Sequence, residues 1–209
     1  MTDSALPHWL AWAREIQALA QNGLAFTSNE FDVQRYERLY EIAAEMMASQ
    51  DATAANDWLE QFTTQRGYAT PKIDVRGAVV REGKILLVQE RSDQRWCMPG
   101  GWADVGDLPS NMVAREALEE SGFEVIARKV IGVFDANRDG RPMNFFHAYK
   151  LVFWCDLIGG EARASNETLA ADFFDFARLP ELSSSRTSQR HLAEVRAHLL
   201  DPQRPTAFD

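Results

Sequence analysis

Residues 7–66 place apolar side chains at helical spacing and show no strand-like alternation. "PHWLAWAREIQALAQNG" reads as a helix from Pro7 to a stop at Gly23. "NEFDVQRYERLYEIAAEMMASQ" repeats Val33, Tyr36, Leu39, Tyr40, Ala43 and Met47 along one face, and "TAANDWLEQF" supplies a third, shorter helix. "RGYATPKID" breaks the pattern with Gly67 and Pro71, after which the period changes to two. "VRGAVV" and "KILLVQE" flank "REG", a hairpin signature, and further strands are expected in "FEVIARKVIGVFD", "NFFHAYKLVFWCDLI" and "DFFDF". The serine-rich "LPELSSSRTSQRHLAEVRAHLL" predicts a capped helix near the end. Strands interleaved with two helices predict an α/β sandwich with a mixed sheet in residues 67–209, preceded by a small helical domain in residues 1–66.

One stretch conflicts with itself. "PSNMVAREALEES" opens on Pro109, stops at Gly122, and reads as a helix. Ala114, Ala117, Leu118 and Ser121 have the spacing of a core-facing stripe, while Glu116, Glu119 and Glu120 gather on the other side. Like charges at that spacing each cost about 0.2–0.5 kcal/mol, and the negative end of the helix dipole lies just beyond. Arg115 answers only part of that charge, so a further cation is expected there.

The net charge of −9 and pI near 5.0 argue against a protein built to grip a nucleic-acid backbone. They do not exclude nucleotides, because a metal ion can bring an anionic ligand to acidic residues. Cys97 and Cys155 are too few for a disulfide framework and read as buried thiols of a reducing compartment. The opening residues carry Asp3 and Glu15 with no basic leader, and no apolar run reaches membrane-spanning length. A cytoplasmic location is expected.

Gly101, five residues, Asp107, seven residues and "REALEESGF" resemble the Nudix box, G-x5-E-x7-R-E-U-x-E-E-x-G-U with U apolar. Gly101, Arg115, Glu116, Ala117, Glu119, Glu120, Gly122 and Phe123 match; Asp107 stands where the family has glutamate. The resemblance implies a Nudix α/β/α sandwich that hydrolyses a nucleoside diphosphate linked to another moiety, with Mg²⁺ or Mn²⁺ held by the box. Hard divalent cations prefer carboxylate oxygens, so the electrostatics agree. Carried over by position, Glu116, Glu119 and Glu120 are implied metal ligands, with the Gly100 carbonyl beside them. Arg115 is implied to orient the carboxylates, and Gly101 to give close backbone approach. Glu120 also counts among the catalytic residues.

In some relatives a glutamate just before a later strand activates the water. Glu167 in "ASNETLAADFFDF" occupies that place, with a solvated loop glutamate as the plain alternative and Glu161 as second choice. Arg76 and Arg91 flank the hairpin and are candidates for reaching phosphates, although surface charge explains them equally well. Tyr68, Trp102, Phe134 and Phe145 are candidates for stacking on a base, or for the core.

Between Trp9 and Arg190, "WCMPGGWADVG", "VIGVFDANRDGRP", "FFHAYKLVFWCDLIGGEA" and the helical leader resemble a subgroup with an N-terminal Nudix-associated domain. Its members are described as ADP-ribose or CDP-choline pyrophosphatases, so ADP-ribose, CDP-choline or a nucleotide sugar is the implied substrate. A triphosphate pyrophosphatase and a non-catalytic nucleotide sensor are the alternatives. A homodimer through the leader is expected from its apolar excess and from the subgroup.

Overall fold

The computed structural model describes residues 7–50, 52–136 and 145–209. They form two compact units, each with its own core. The first takes the described residues up to Pro71 together with 145–147; the second takes the rest.

In the first unit α1 (His8–Phe26), α2 (Glu30–Ala48) and α3 (Ala55–Thr64) surround Leu10, Ala13, Ala20, Tyr40, Ala43, Met47 and Phe62. Asn29 caps α2 by accepting from the N–H groups of Phe31 and Asp32. Gly23 does not stop α1, which continues to Phe26. A Cβ there would lie 2.3 Å from the Tyr36 ring, so this glycine makes room for the neighbouring helix. Phe145 packs on Phe62 at 4.6 Å between ring centroids, which makes it core and not a stacking surface.

The second unit is a sheet with a helix on each face. Its strands are β1 (Lys72–Arg81), β2 (Lys84–Glu90), β3 (Trp96–Cys97), β4 (Phe123–Asp135), β5 (Ala148–Gly160), β6 (Thr168–Asp175) and β7 (Ala207–Phe208). Their order is β3-β2-β1-β5-β4-β7, with β6 also paired to β2. The β1–β5 pairing is parallel and β4–β5 antiparallel, so the sheet is mixed as expected. Glu82 and Gly83, both at positive φ, turn the β1–β2 hairpin.

Alternation along the strands separates two apolar layers. Val75 and Val79 of β1 join Met112, Val113 and Ala117 of α4 (Pro109–Ser121). Ala78, on the opposite face, joins Leu192 and Val195 of α5 (Gln189–Leu200). Ser188 caps α5 in a reciprocal pair with His191, as the serine-rich stretch predicts.

Several expectations shift. β6 begins at Thr168, earlier than "DFFDF", and the two-residue strands β3 and β7 carry too little pattern to be read. β5 begins at Ala148; Asn144 and the stretch 137–143 lie outside the described residues. Among the described residues no helix is long and apolar enough to cross a membrane. Cys97 and Cys155 are both buried thiols.

Candidate active site

The acidic helix is positioned by the loop before it. Val75 N–H donates to Gly101 O and Gly77 N–H to Pro99 O, both at 2.8 Å, and Ala103 N–H donates to Ile73 O at 2.9 Å. The Pro99–Ala103 segment is therefore stitched along the edge of β1. Gly100 adopts a φ of +139°, and a Cβ there would strike Val75 O at 2.0 Å. Gly101 leaves space in another direction, since a Cβ on it would meet the Glu116 carboxylate at 3.3 Å.

The three glutamates do not share one exposed face. Glu120 is buried at 5% exposure, Glu116 is largely sheltered, and Glu119 stands at the rim with more than half its side chain exposed. Leu118 is exposed, so the core stripe of α4 runs through Met112, Val113, Ala117 and Ser121 instead. Gly122 then ends the helix in the left-handed conformation.

Arg115 carries more of the acidic charge than the sequence suggests. It pairs with Asp107 at 2.7 Å, Glu116 at 3.3 Å, Asp104 at 3.4 Å and Glu119 at 3.6 Å. Asp107 thus reaches Arg115 despite lacking one methylene. Glu120 is held separately: Gly100 donates its N–H to Glu120 Oε2 at 2.8 Å. Burial pushes the Glu120 carboxyl up to about 7, with the charges of Glu90 and Glu116 adding and Arg76 opposing. Burial likewise raises Glu116, helped by Glu119 and Glu167 and opposed by Arg115. Among the described residues no three His, Cys, Asp or Glu side chains are arranged to hold a metal ion. The glutamates of α4 are engaged instead by Arg115 and the Gly100 N–H.

These groups line a cavity of about 640 Å³ that also takes in Arg76, Gly100, Gly101, Trp102 and Glu167. Such a volume suits a small molecule. Glu167 is brought there by a tight loop in which Ser165 Oγ accepts from the N–H groups of Glu167 and Thr168, both at 3.1 Å. Thr168 Oγ1 donates to Glu120 O at 2.6 Å and ties that loop to α4. Glu161 is exposed and is not among the lining residues.

Arg76 lines the cavity but is buried and committed to Asp74, through Nε at 2.7 Å and Nη2 at 3.0 Å. Lys150 Nζ joins Asp74 at 3.0 Å. Burial pushes the Asp74 carboxyl up, and Arg76 with Lys150 pulls it below its ordinary value. Arg91 does not line the cavity. Its guanidinium donates to Asn166 O at 3.1 Å and Ser165 O at 3.2 Å, so it supports the Glu167 loop. Of the four aromatic candidates only Trp102 faces the cavity; Phe134 is buried and Tyr68 lies on the first unit.

Sequence reasoning missed Glu90, Arg163, Ser165, Asn166 and Arg186 in the lining. Glu90 ends a buried strand, where a carboxylate needs partners. It accepts from Cys97 Sγ at 3.1 Å and pairs with Arg186 at 3.2 Å. That burial was the available signal.

Residues 71–195 match the NUDIX domain family, and residues 7–62 match a family described as a UDP-X-like N-terminal oligomerisation domain. The chain belongs to the Nudix family. It is a Nudix pyrophosphohydrolase. A Bacillus subtilis protein named as a candidate ADP-ribose pyrophosphatase is 38% identical over 96% of this chain and 97% of its own length. An ADP-ribose pyrophosphatase from Methanocaldococcus jannaschii is 34% identical over 56% of this chain and 70% of its own. A crystal structure of a UDP-X diphosphatase, 30% identical, superposes with a TM-score of 0.62 over 97% of this chain and 98% of that one. That of an ADP-ribose pyrophosphatase from Streptococcus suis, 36% identical, superposes at 0.61 over 67% of this chain and all of that one.

Proposed function

We propose that this Nudix enzyme cleaves the pyrophosphate linkage of a nucleoside diphosphate derivative, releasing a nucleoside monophosphate and the phosphorylated remainder. ADP-ribose is the first candidate, because a relative sharing nearly the full length is named for it. UDP-linked compounds, nucleotide sugars and CDP-choline follow. The observation that carries the reading is the convergence of Glu116, Glu119 and the buried Glu120 on one cavity of suitable size. A divalent cation would offset the burial that raises the Glu116 and Glu120 carboxyls, and the hard oxygens of Glu116, Glu119, Glu120 and the Gly100 carbonyl suit Mg²⁺ or Mn²⁺. The bound ion would neutralise the substrate diphosphate and polarise phosphorus.

The remaining work falls to side chains. Arg115, anchored on Asp107, keeps Glu116 and Glu119 oriented, and the Gly100 N–H fixes one oxygen of Glu120. Glu167 takes the proton of the attacking water from a loop held by Ser165, Thr168 and Arg91. The leader makes the chain a homodimer: its family match describes an oligomerisation domain, and α1 exposes Trp12, Leu19 and Phe26. A panel of ADP-ribose, UDP-linked sugars, CDP-choline and nucleoside triphosphates, each with Mg²⁺ or Mn²⁺, tests the substrate class. Preference for a diphosphate derivative supports the reading, and preference for triphosphates overturns it.

A further inference from the structure

The cavity is lined by four arginines, and three of them are already engaged. Arg76 is held by Asp74, Arg115 by Asp107 and its neighbours, and Arg186 by Glu90 and Asp93. Arg163 differs. Among the described residues its guanidinium has no carboxylate or carbonyl partner, although its main chain is firmly placed. Its N–H donates to Ser121 O at 2.9 Å, and its Cβ lies where a Cβ on Gly122 would come within 2.8 Å. The side chain therefore springs from the loop after β5, at a point tied by its backbone to the last turn of α4, the turn that carries Glu119 and Glu120.

A guanidinium fork presents paired donors that match two phosphate oxygens, and its charge persists at any working pH. Exposed, and paired with no carboxylate among the described residues, this one is available to an anionic ligand without breaking an internal ion pair. Its loop runs on through Ser165 to Glu167, so a contact at Arg163 would also register the substrate against the proposed base. We infer that Arg163 is a substrate-binding residue that grips phosphoryl oxygens of the diphosphate; the assignment rests on the proposed reaction.

The test pairs kinetics with binding. In Arg163→Gln and Arg163→Ala, KM for the preferred diphosphate substrate rises about tenfold, as expected for losing one charged hydrogen bond, while kcat stays within about threefold. Arg163→Lys recovers part of the loss. In calorimetry with Mg²⁺, methylenediphosphonate, a non-hydrolysable diphosphate, binds Arg163→Gln about tenfold more weakly than the unaltered chain. Unchanged KM and unchanged diphosphonate affinity overturn the assignment, as does a fall confined to kcat. Should the unaltered chain cleave no diphosphate derivative, the proposed reaction fails, and the diphosphonate measurement still decides Arg163 alone.

Discussion

Trp12, Leu19 and Phe26 stand seven residues apart on α1, on one stripe, at 56%, 56% and 76% exposure. In the second unit Asp74, Arg76, Glu90, Glu120 and Lys150 are all buried. Both units leave apolar side chains in water, Val105, Leu200 and Phe208 among them in the second, but the three on α1 share one stripe, and the second unit also takes charge out of water. Each arrangement costs free energy that a self-contained fold has no reason to spend. Asp74, Arg76 and Lys150 compensate one another and Glu90 pairs with Arg186, which leaves Glu120, held by the Gly100 N–H, as the buried charge without an ion-pair partner. The difference separates assembly from chemistry.

The largest effect comes from removing the buried charge at its centre. Glu120→Gln keeps the shape and should cut kcat by about 10³-fold, the upper cost of losing one preorganised electrostatic contact. Activity within tenfold of the unaltered chain would show that Glu120 is structural. The same variant sharpens the electrostatic side. With the Glu120 carboxyl at about 7 in the folded chain and 4.5 ordinarily, the folded state holds a proton that the unfolded state releases between those values. This contribution to stability is fully present below 4.5 and is lost as pH rises through 7. Without metal, thermal unfolding should therefore shift downward over that window, and Glu120→Gln should remove that part of the shift.

Next in size, Glu167→Gln should lower kcat by about 10²-fold with little change in KM, because a base acts in the transition state. Glu161→Gln should stay near normal; the reverse order would move the base to Glu161. The smallest effect on turnover comes from the other unit. Replacing Trp12, Leu19 and Phe26 with serine should leave kcat within about twofold and convert a dimer to a 23.6 kDa monomer in light scattering. A dimer that survives the triple change places the contact elsewhere.

The fold was legible where pattern and period are long. The helices α1–α5 and the strands flanking "REG" follow from periodicity, but Gly23 was misread as a stop because its reason, the Tyr36 ring, is a tertiary contact. The box located Arg115, Glu116, Glu119 and Glu120, yet spacing alone could not show that Glu120 sinks while Glu119 stays at the rim. Arg76 and Arg91 look alike in sequence. The register of β1 buries Arg76 on Asp74, whereas the loop before β6 draws Arg91 to its carbonyls. Arg163 and Arg186 reach the cavity through loop geometry that leaves no local pattern.

The most direct measurement is product analysis by ³¹P NMR of ADP-ribose incubated with the purified chain and Mg²⁺ or Mn²⁺, with and without excess chelator. AMP and ribose 5-phosphate should form in equal amounts, with no products once the divalent ion is removed. Undiminished cleavage in excess chelator would contradict it, as would failure to cleave ADP-ribose or any other nucleoside diphosphate derivative.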